Sequence, residues 1–189
     1  MQVYNFWRSD EQRVPCCLKG RFFITAGRRP AGEAELNINA MSYTRLLYHI
    51  VFRTKHSKNT IPEAHAKELY AYIMKVIADK KSRLYRIGGT ENHFHLLVDI
   101  HPAFAVSDVM QVLKEYSSKW LSGNPNFPQF EGWAVSFAAF TYNLNDKQKI
   151  INYIKNQKEH HKTVNFAEEY RQFLIDNGID IDERYFLKD

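Results

Sequence analysis

Two-residue alternation and three- to four-residue spacing follow one another along this chain in an order that few folds accommodate. From Tyr43 to Thr54, Leu47, His49 and Val51 fall on one side and Leu46, Tyr48, Ile50 and Phe52 on the other, the pattern of a strand covered on both sides. After a polar loop with Lys55, His56 and Lys58, Ile61-Pro62-Glu63 opens a helix, proline being tolerated at the first helical position. Ala66, Leu69, Tyr70, Ile73, Val76 and Ile77 give that helix one apolar face, and it ends near Lys80-Lys81. Leu84 to Ile87 predicts a second strand, Gly88-Gly89 a bend, and His93 to Ile100 a third strand, antiparallel because the connection is short. Ser107-Asp108 caps a second helix with Val109, Val112, Leu113, Tyr116 and Trp120 on its face, and Gly123-Asn124-Pro125 stops it. Trp133 to Tyr142 reads as a fourth strand. Strand, helix, strand, strand, helix, strand is the split βαβ plan of ferredoxin-like and RRM-like folds. The prediction is an α+β domain whose antiparallel sheet carries helices on one face and leaves the other free to bind.

Two further helices follow the sheet. Asn145-Asp146 caps one that runs to about His161, and Phe166 to Asn177 makes another, with Phe166, Tyr170, Phe173 and Leu174 as its apolar face and Gly178 as its stop. Residues 1 to 40 show no sustained period and scatter Arg8, Arg13, Lys19, Arg21, Arg28 and Arg29 among short aromatic stretches. Patterning begins at Met41, so the expectation is one domain over residues 41–189 behind a poorly ordered N-terminal extension. An apolar fraction of 44% against 25% charged residues excludes a disordered chain. The net charge of +5 points weakly toward a polyanionic partner. The only cysteines, Cys16-Cys17, provide neither a disulfide framework nor zinc-ribbon spacing, which fits a reducing, intracellular setting. No stretch has the length of a membrane span or the plan of a secretory signal.

The chemistry-bearing residues lie in two places. On the third strand, His93 and His95 are two apart and project to one side, which makes half a metal site. On the first of the late helices, Ile150, Ile151 and Ile154 form the buried stripe, and Tyr153 and Gln157 sit one turn apart on its flank with His161 a turn further. Two imidazoles holding a metal need a third ligand, and a glutamine carbonyl can supply it. A tyrosine one turn away then stands near the cation, which a phenol needs if it is to attack a phosphate.

Four stretches in this order, Tyr48-His49-Ile50-Val51-Phe52-Arg53-Thr54-Lys55, Asn92-His93-Phe94-His95-Leu96-Leu97-Val98, Leu113-Lys114-Glu115-Tyr116-Ser117-Ser118-Lys119-Trp120 and Tyr153-Ile154-Lys155-Asn156-Gln157-Lys158-Glu159-His160-His161, resemble the single-tyrosine HUH transposases of bacterial insertion sequences, a group that includes the repeat-associated tyrosine transposases. The resemblance implies that His93, His95 and Gln157 are metal ligands and that Tyr153 is the nucleophile. The reaction it implies is cleavage and rejoining of single-stranded DNA through a 5′-phosphotyrosine, with Mg²⁺ or Mn²⁺ as the cofactor. It further implies hairpin-containing element ends as substrate, a homodimer with no nucleotide cofactor or membrane partner, and a bacterial, cytoplasmic and nucleoid-associated location. Family members usually carry aspartate where this chain has Asn92, a difference expected to affect ligand orientation more than competence.

Candidate DNA contacts are Arg53 and Lys55 after strand one, Lys114, Ser118 and Lys119 on the second helix, and Lys155 and Lys158 beside the tyrosine. His49 is a spare imidazole: its plain reading is a half-buried sheet residue, yet strand one should lie beside strand three and bring it toward the pair. Two other readings stay open, a non-catalytic RRM-like module that binds single-stranded nucleic acid, such as a domesticated descendant, and a metal-dependent nuclease that activates water.

Overall fold

The computed structural model describes residues 43–189, and the expectations for residues 1–40 lie outside the described residues. Four strands, β1 (Leu47–Thr54), β2 (Arg83–Gly89), β3 (His93–Asp99) and β4 (Trp133–Thr141), form one antiparallel sheet in the order β2-β3-β1-β4. Helix α1 (Ala66–Asp79) follows β1 and α2 (Val106–Ser122) follows β3, as the split βαβ plan requires. Three more helices close the chain: α3 (Lys147–Lys155), the single turn α4 (Gln157–His160) and α5 (Phe166–Asp176). Among the described residues no helix is long and apolar enough to cross a membrane.

Strand alternation divides the buried residues between two faces. Ile50, Phe52, Phe94, Leu96 and Val98 point toward α1 and α2 and meet Leu69, Ile73, Ile77, Met110 and Leu113 in the main core. Leu47, His49, Val51, His93, His95 and Leu97 alternate with them and occupy the other face. That second face is not free, as the sequence pattern had suggested. Ile150 and Ile154 of α3 pack on Leu47 and Leu97, while Phe166 with Tyr170, Phe173 and Leu174 of α5 packs on Val51, Ala138 and Phe140. An apolar stripe on each late helix has to be buried, and among the described residues it is the back of the sheet that takes it.

Two boundaries also differ from expectation. The helix predicted to run through to His161 breaks at Asn156, whose backbone leaves helical geometry between α3 and α4. The α2 start falls at Val106 behind Ala105, so Asp108 lies inside the first turn, where its charge complements the helix dipole.

Gly88 shows why α3 can lie where it does. A Cβ at that position would stand 2.7 Å from the backbone oxygen of Ile154, so the absence of a side chain sets how closely the helix approaches β2. Gly88→Ala should cost about 1–3 kcal/mol, the range for overpacking, because a backbone carbonyl has to retreat. Urea unfolding measures that loss, and an unchanged midpoint would mean the helix has room to spare.

Candidate metal and nucleophile site

The histidine pair stands on β3 between the two apolar clusters, buried to 1% exposure at each residue. Each ring is anchored through Nδ1. His93 Nδ1 lies 2.7 Å from Asn92 Oδ1 and 2.9 Å from Thr90 Oγ1, and His95 Nδ1 lies 3.0 Å from His49 Nε2. An amide oxygen only accepts, so His93 donates from Nδ1 and keeps its Nε2 lone pair. Asn92 therefore orients the ring through an oxygen, as a carboxylate would, while its Nδ2 donates to Ser57 O at 3.2 Å. His49 is fully buried and serves His95, the role beyond plain packing that the strand order allowed.

From the covering helices Tyr153, Gln157 and a residue that sequence reasoning passed over, Glu169, reach the same spot. Tyr153 Oη and Gln157 Nε2 both donate to Glu169 Oε1, the amide at 2.9 Å. Glu169 Oε1 and Oε2 lie 3.8 Å from His95 Nε2 and 3.6 Å from His93 Nε2, and His161 Nε2 stands 2.9 Å from Oε2. The Tyr153 ring sits edge-on to His95 with centroids 5.7 Å apart, so the phenol and the imidazole pair meet within one chain. The break at Asn156 does not separate Tyr153 from Gln157, because both converge on the one carboxylate.

Burial governs the charges here. It brings His93 down to about 3, helped by the charge of His161, and His49 to about 4. Burial, with His49 and His93 adding to it, takes His95 well below its ordinary value. All three imidazoles are neutral near pH 7, the state in which a ring nitrogen can bind a cation. For Glu169 burial acts upward, but the His161 imidazole, His95 and the hydrogen bonds from Tyr153 and Gln157 outweigh it and hold the carboxyl far below the carboxylate range. Burial raises the Tyr153 phenol far above its ordinary value, and the bond to Glu169 and its negative charge raise it further. Against burial, Glu169 raises His161.

The residues present fit a divalent cation. His93 Nε2, His95 Nε2 and Gln157 Oε1 are buried acceptors with no hydrogen-bond partner among the described residues, and Glu169 Oε2 has only His161 Nε2 beside it. One donor atom each from His93, His95 and Glu169 lies within 4.8 Å of the others. A cleft of about 700 Å³ opens beside His93, lined also by Asn92, Glu63, Lys158, His161 and Asn165.

The candidate DNA contacts are not gathered in one place. Lys155 and Lys158 are exposed beside the site, Lys158 pairing with Glu63. Lys55 is exposed after β1, Ser118 is half-buried on α2, and Lys119 reaches Glu115 on the exterior of that helix. Arg53 is only 3% exposed, pairs with Asp189 at 3.0 Å and donates to Lys188 O, so its guanidinium is engaged within the chain. Lys114 donates to the carbonyls of Ala134, Val135 and Ser136 at 2.9 Å each, and burial lowers its ammonium to about 8.

A family model described as IS200-like transposase matches residues 42–157, more than half of the chain. The chain belongs to the IS200-like transposase family. Two curated relatives, the transposases for insertion sequence element IS200 of Salmonella typhimurium and Salmonella typhi, are each 29% identical over 120 residues, covering 61% of this chain and 78% of theirs. Among solved structures, that of a REP-associated tyrosine transposase bound to a REP hairpin is similar in fold, with a TM-score of 0.50 and 16% identity over 66% of this chain and 73% of that one. The IS200-like match spans His93, His95, Tyr153 and Gln157 and ends before Glu169.

Proposed function

We propose that the chain cleaves and rejoins single-stranded DNA through a 5′-phosphotyrosine at Tyr153, using Mg²⁺ or Mn²⁺ held by the histidine pair. What supports this most is the meeting of one phenol and two neutral imidazoles around a single carboxylate, in a chain of the IS200-like transposase family. A divalent cation bound there supplies Lewis-acid polarisation of a phosphate oxygen and offsets charge developing at phosphorus. The Tyr153 oxygen attacks phosphorus in line, and its proton passes to Glu169 Oε1, the atom to which it is already hydrogen-bonded. The bond from phosphorus to the 3′ oxygen breaks, its electron pair leaves with that oxygen, and the oxygen takes up a proton from water to become a 3′-hydroxyl. Because one phosphodiester replaces another, rejoining runs the same steps backward without a nucleotide cofactor.

The strand enters through the cleft beside His93, with Lys158 and Lys162 on its wall and the exposed Lys155 and Lys55 free to meet the backbone beyond it. Arg53, Lys114 and Lys119 join only where their present partners give way to phosphate, and Ser118 only where the half-buried face of α2 opens. The REP-bound relative supports a hairpin at the element end as the recognised shape. Moving an element requires two cuts and each chain carries one such tyrosine, so two copies act together on DNA in the bacterial cytoplasm and nucleoid, each with its own tyrosine at its own histidine pair.

The test is direct. Labelled single-stranded oligonucleotide carrying an element end, incubated with protein and Mn²⁺, should leave label on the protein through a denaturing gel, and peptide mapping should place it on Tyr153. Duplex DNA and EDTA should abolish it. Cleaved DNA with no label retained would favour a nuclease that activates water.

A further inference from the structure

We propose that Glu169 is the third protein ligand of the divalent cation, with Gln157 holding that carboxylate in place. This assignment rests on the metal-dependent reading of the site given above and names a residue beyond the stretch that matches the family.

The spacing argues for a shared ion. At 3.6 and 3.8 Å from His93 Nε2 and His95 Nε2, the carboxylate oxygens are too distant for good hydrogen bonds. Two donors that each lie about 2.1 Å from one cation, at angles of about 90–120°, stand about 3.0–3.7 Å apart. Oε2 and His93 Nε2 already have that spacing, and one donor atom from each of His93, His95 and Glu169 lies within 4.8 Å of the others, so a small inward shift brings all three to one ion. A carboxylate only 5% exposed, with ring nitrogens of His93, His95, His160 and His161 within 3.8 Å of it and no lysine or arginine paired to it among the described residues, calls for a cation close by.

The two oxygens divide their work. Oε1 accepts from Tyr153 and Gln157, whereas Oε2 has only His161 Nε2 beside it at 2.9 Å and faces His93 Nε2, which like His95 Nε2 has no hydrogen-bond partner among the described residues. The Gln157 amide oxygen is likewise without a partner and competes for the role. An ion of the Mg²⁺ or Mn²⁺ type prefers the anionic oxygen, whose full charge attracts it more than an amide dipole does. Local structure delivers Glu169 to the spot. Asn165 caps α5 by accepting from Glu168 N at 2.9 Å, and Phe166 stacks on His93 with centroids 4.3 Å apart. Glu169, three residues on, then shares the buried face with Phe166.

The experiment is a Mn²⁺ titration by calorimetry of the full chain after EDTA stripping and buffer exchange, near pH 7.5. Wild type should bind one ion per chain, Glu169→Gln should weaken binding at least about tenfold, and Glu169→Asp should recover part of that loss because it keeps the charge. Gln157→Ala should lose less than Glu169→Gln. The visible absorption of bound Co²⁺ should change with Glu169→Gln, reporting an altered ligand set independently of activity. Metal-free circular dichroism checks folding, and Glu169→Asp carries the test if Glu169→Gln does not fold. Equal or tighter Mn²⁺ binding by Glu169→Gln, with wild type still forming its DNA adduct, overturns the ligand assignment alone. Failure of wild type both to bind Mn²⁺ and to form the adduct overturns the underlying reading as well.

Discussion

Tyr153→Phe protein should form no covalent adduct with single-stranded DNA and carry out no strand transfer, a loss of at least about 10³-fold, while still binding the uncleaved strand within about threefold of wild type. The substitution removes one oxygen and keeps the ring. That ring packs against His95 and Phe173, with centroids 5.7 and 6.0 Å away, and those contacts survive. Glu169 Oε1 loses the phenol as a donor but keeps Gln157 Nε2 at 2.9 Å, so the carboxylate is not stranded. The cost in stability should stay below about 2 kcal/mol, since a bond to a charged group is worth about 1.5–3 kcal/mol and the phenol no longer has to be desolvated. Fold, metal binding and DNA binding therefore serve as controls in the same preparation. Cleavage that persists in Tyr153→Phe would transfer the nucleophile's role to water and end the phosphotyrosine account.

The sheet and its first two helices were legible because each has a clean period. Leu47 to Phe52 alternates, and Leu69, Ile73 and Ile77 recur every four residues, so local geometry alone places them. The histidine pair was legible for the same reason, since two residues apart on a strand means one face. Covering of the second face was harder to foresee, because it depends on where α3 and α5 dock and not on any one element's period. Glu169 carried a signal that was passed over: an acid three residues after Phe166 and four before Phe173 sits inside an apolar stripe, where a carboxylate needs a reason to be buried. Arg53 had no such local mark. Its partner Asp189 is 136 positions away, and long-range pairing of that kind leaves no trace in spacing.

Stripped of metal, the protein should lose stability on the acid side of neutrality, on the order of 3 kcal/mol per pH unit between about pH 6.5 and 5. His49 at about 4, His93 at about 3 and His95 well below its ordinary value are all lowered by burial, whereas in the unfolded chain each returns to about 6.5. Below that value the unfolded state takes up protons that the folded state refuses, so falling pH favours unfolding by about 1.36 kcal/mol per proton per unit. His161 acts in the opposite sense. Its raised value contributes stability that is fully present below about 6.5 and lost only as pH rises through its folded value, so it hardly alters the slope on the acid side. Glu169 is held low, so its contribution is present above the ordinary carboxylate range and lost as pH falls beneath that range, extending the acid loss downward. Urea unfolding in EDTA at pH 7.5, 6.5 and 5.5 measures the slope, and His49→Gln should flatten it by about one proton. A flat profile would mean that the three imidazoles are not held neutral inside the fold, which would remove the physical ground for treating the pair as ready cation ligands. With saturating Mn²⁺ the whole profile should rise with little change of slope between about pH 6.5 and 5, because His93 and His95 are already neutral in the folded protein and release no proton to the ion in that window.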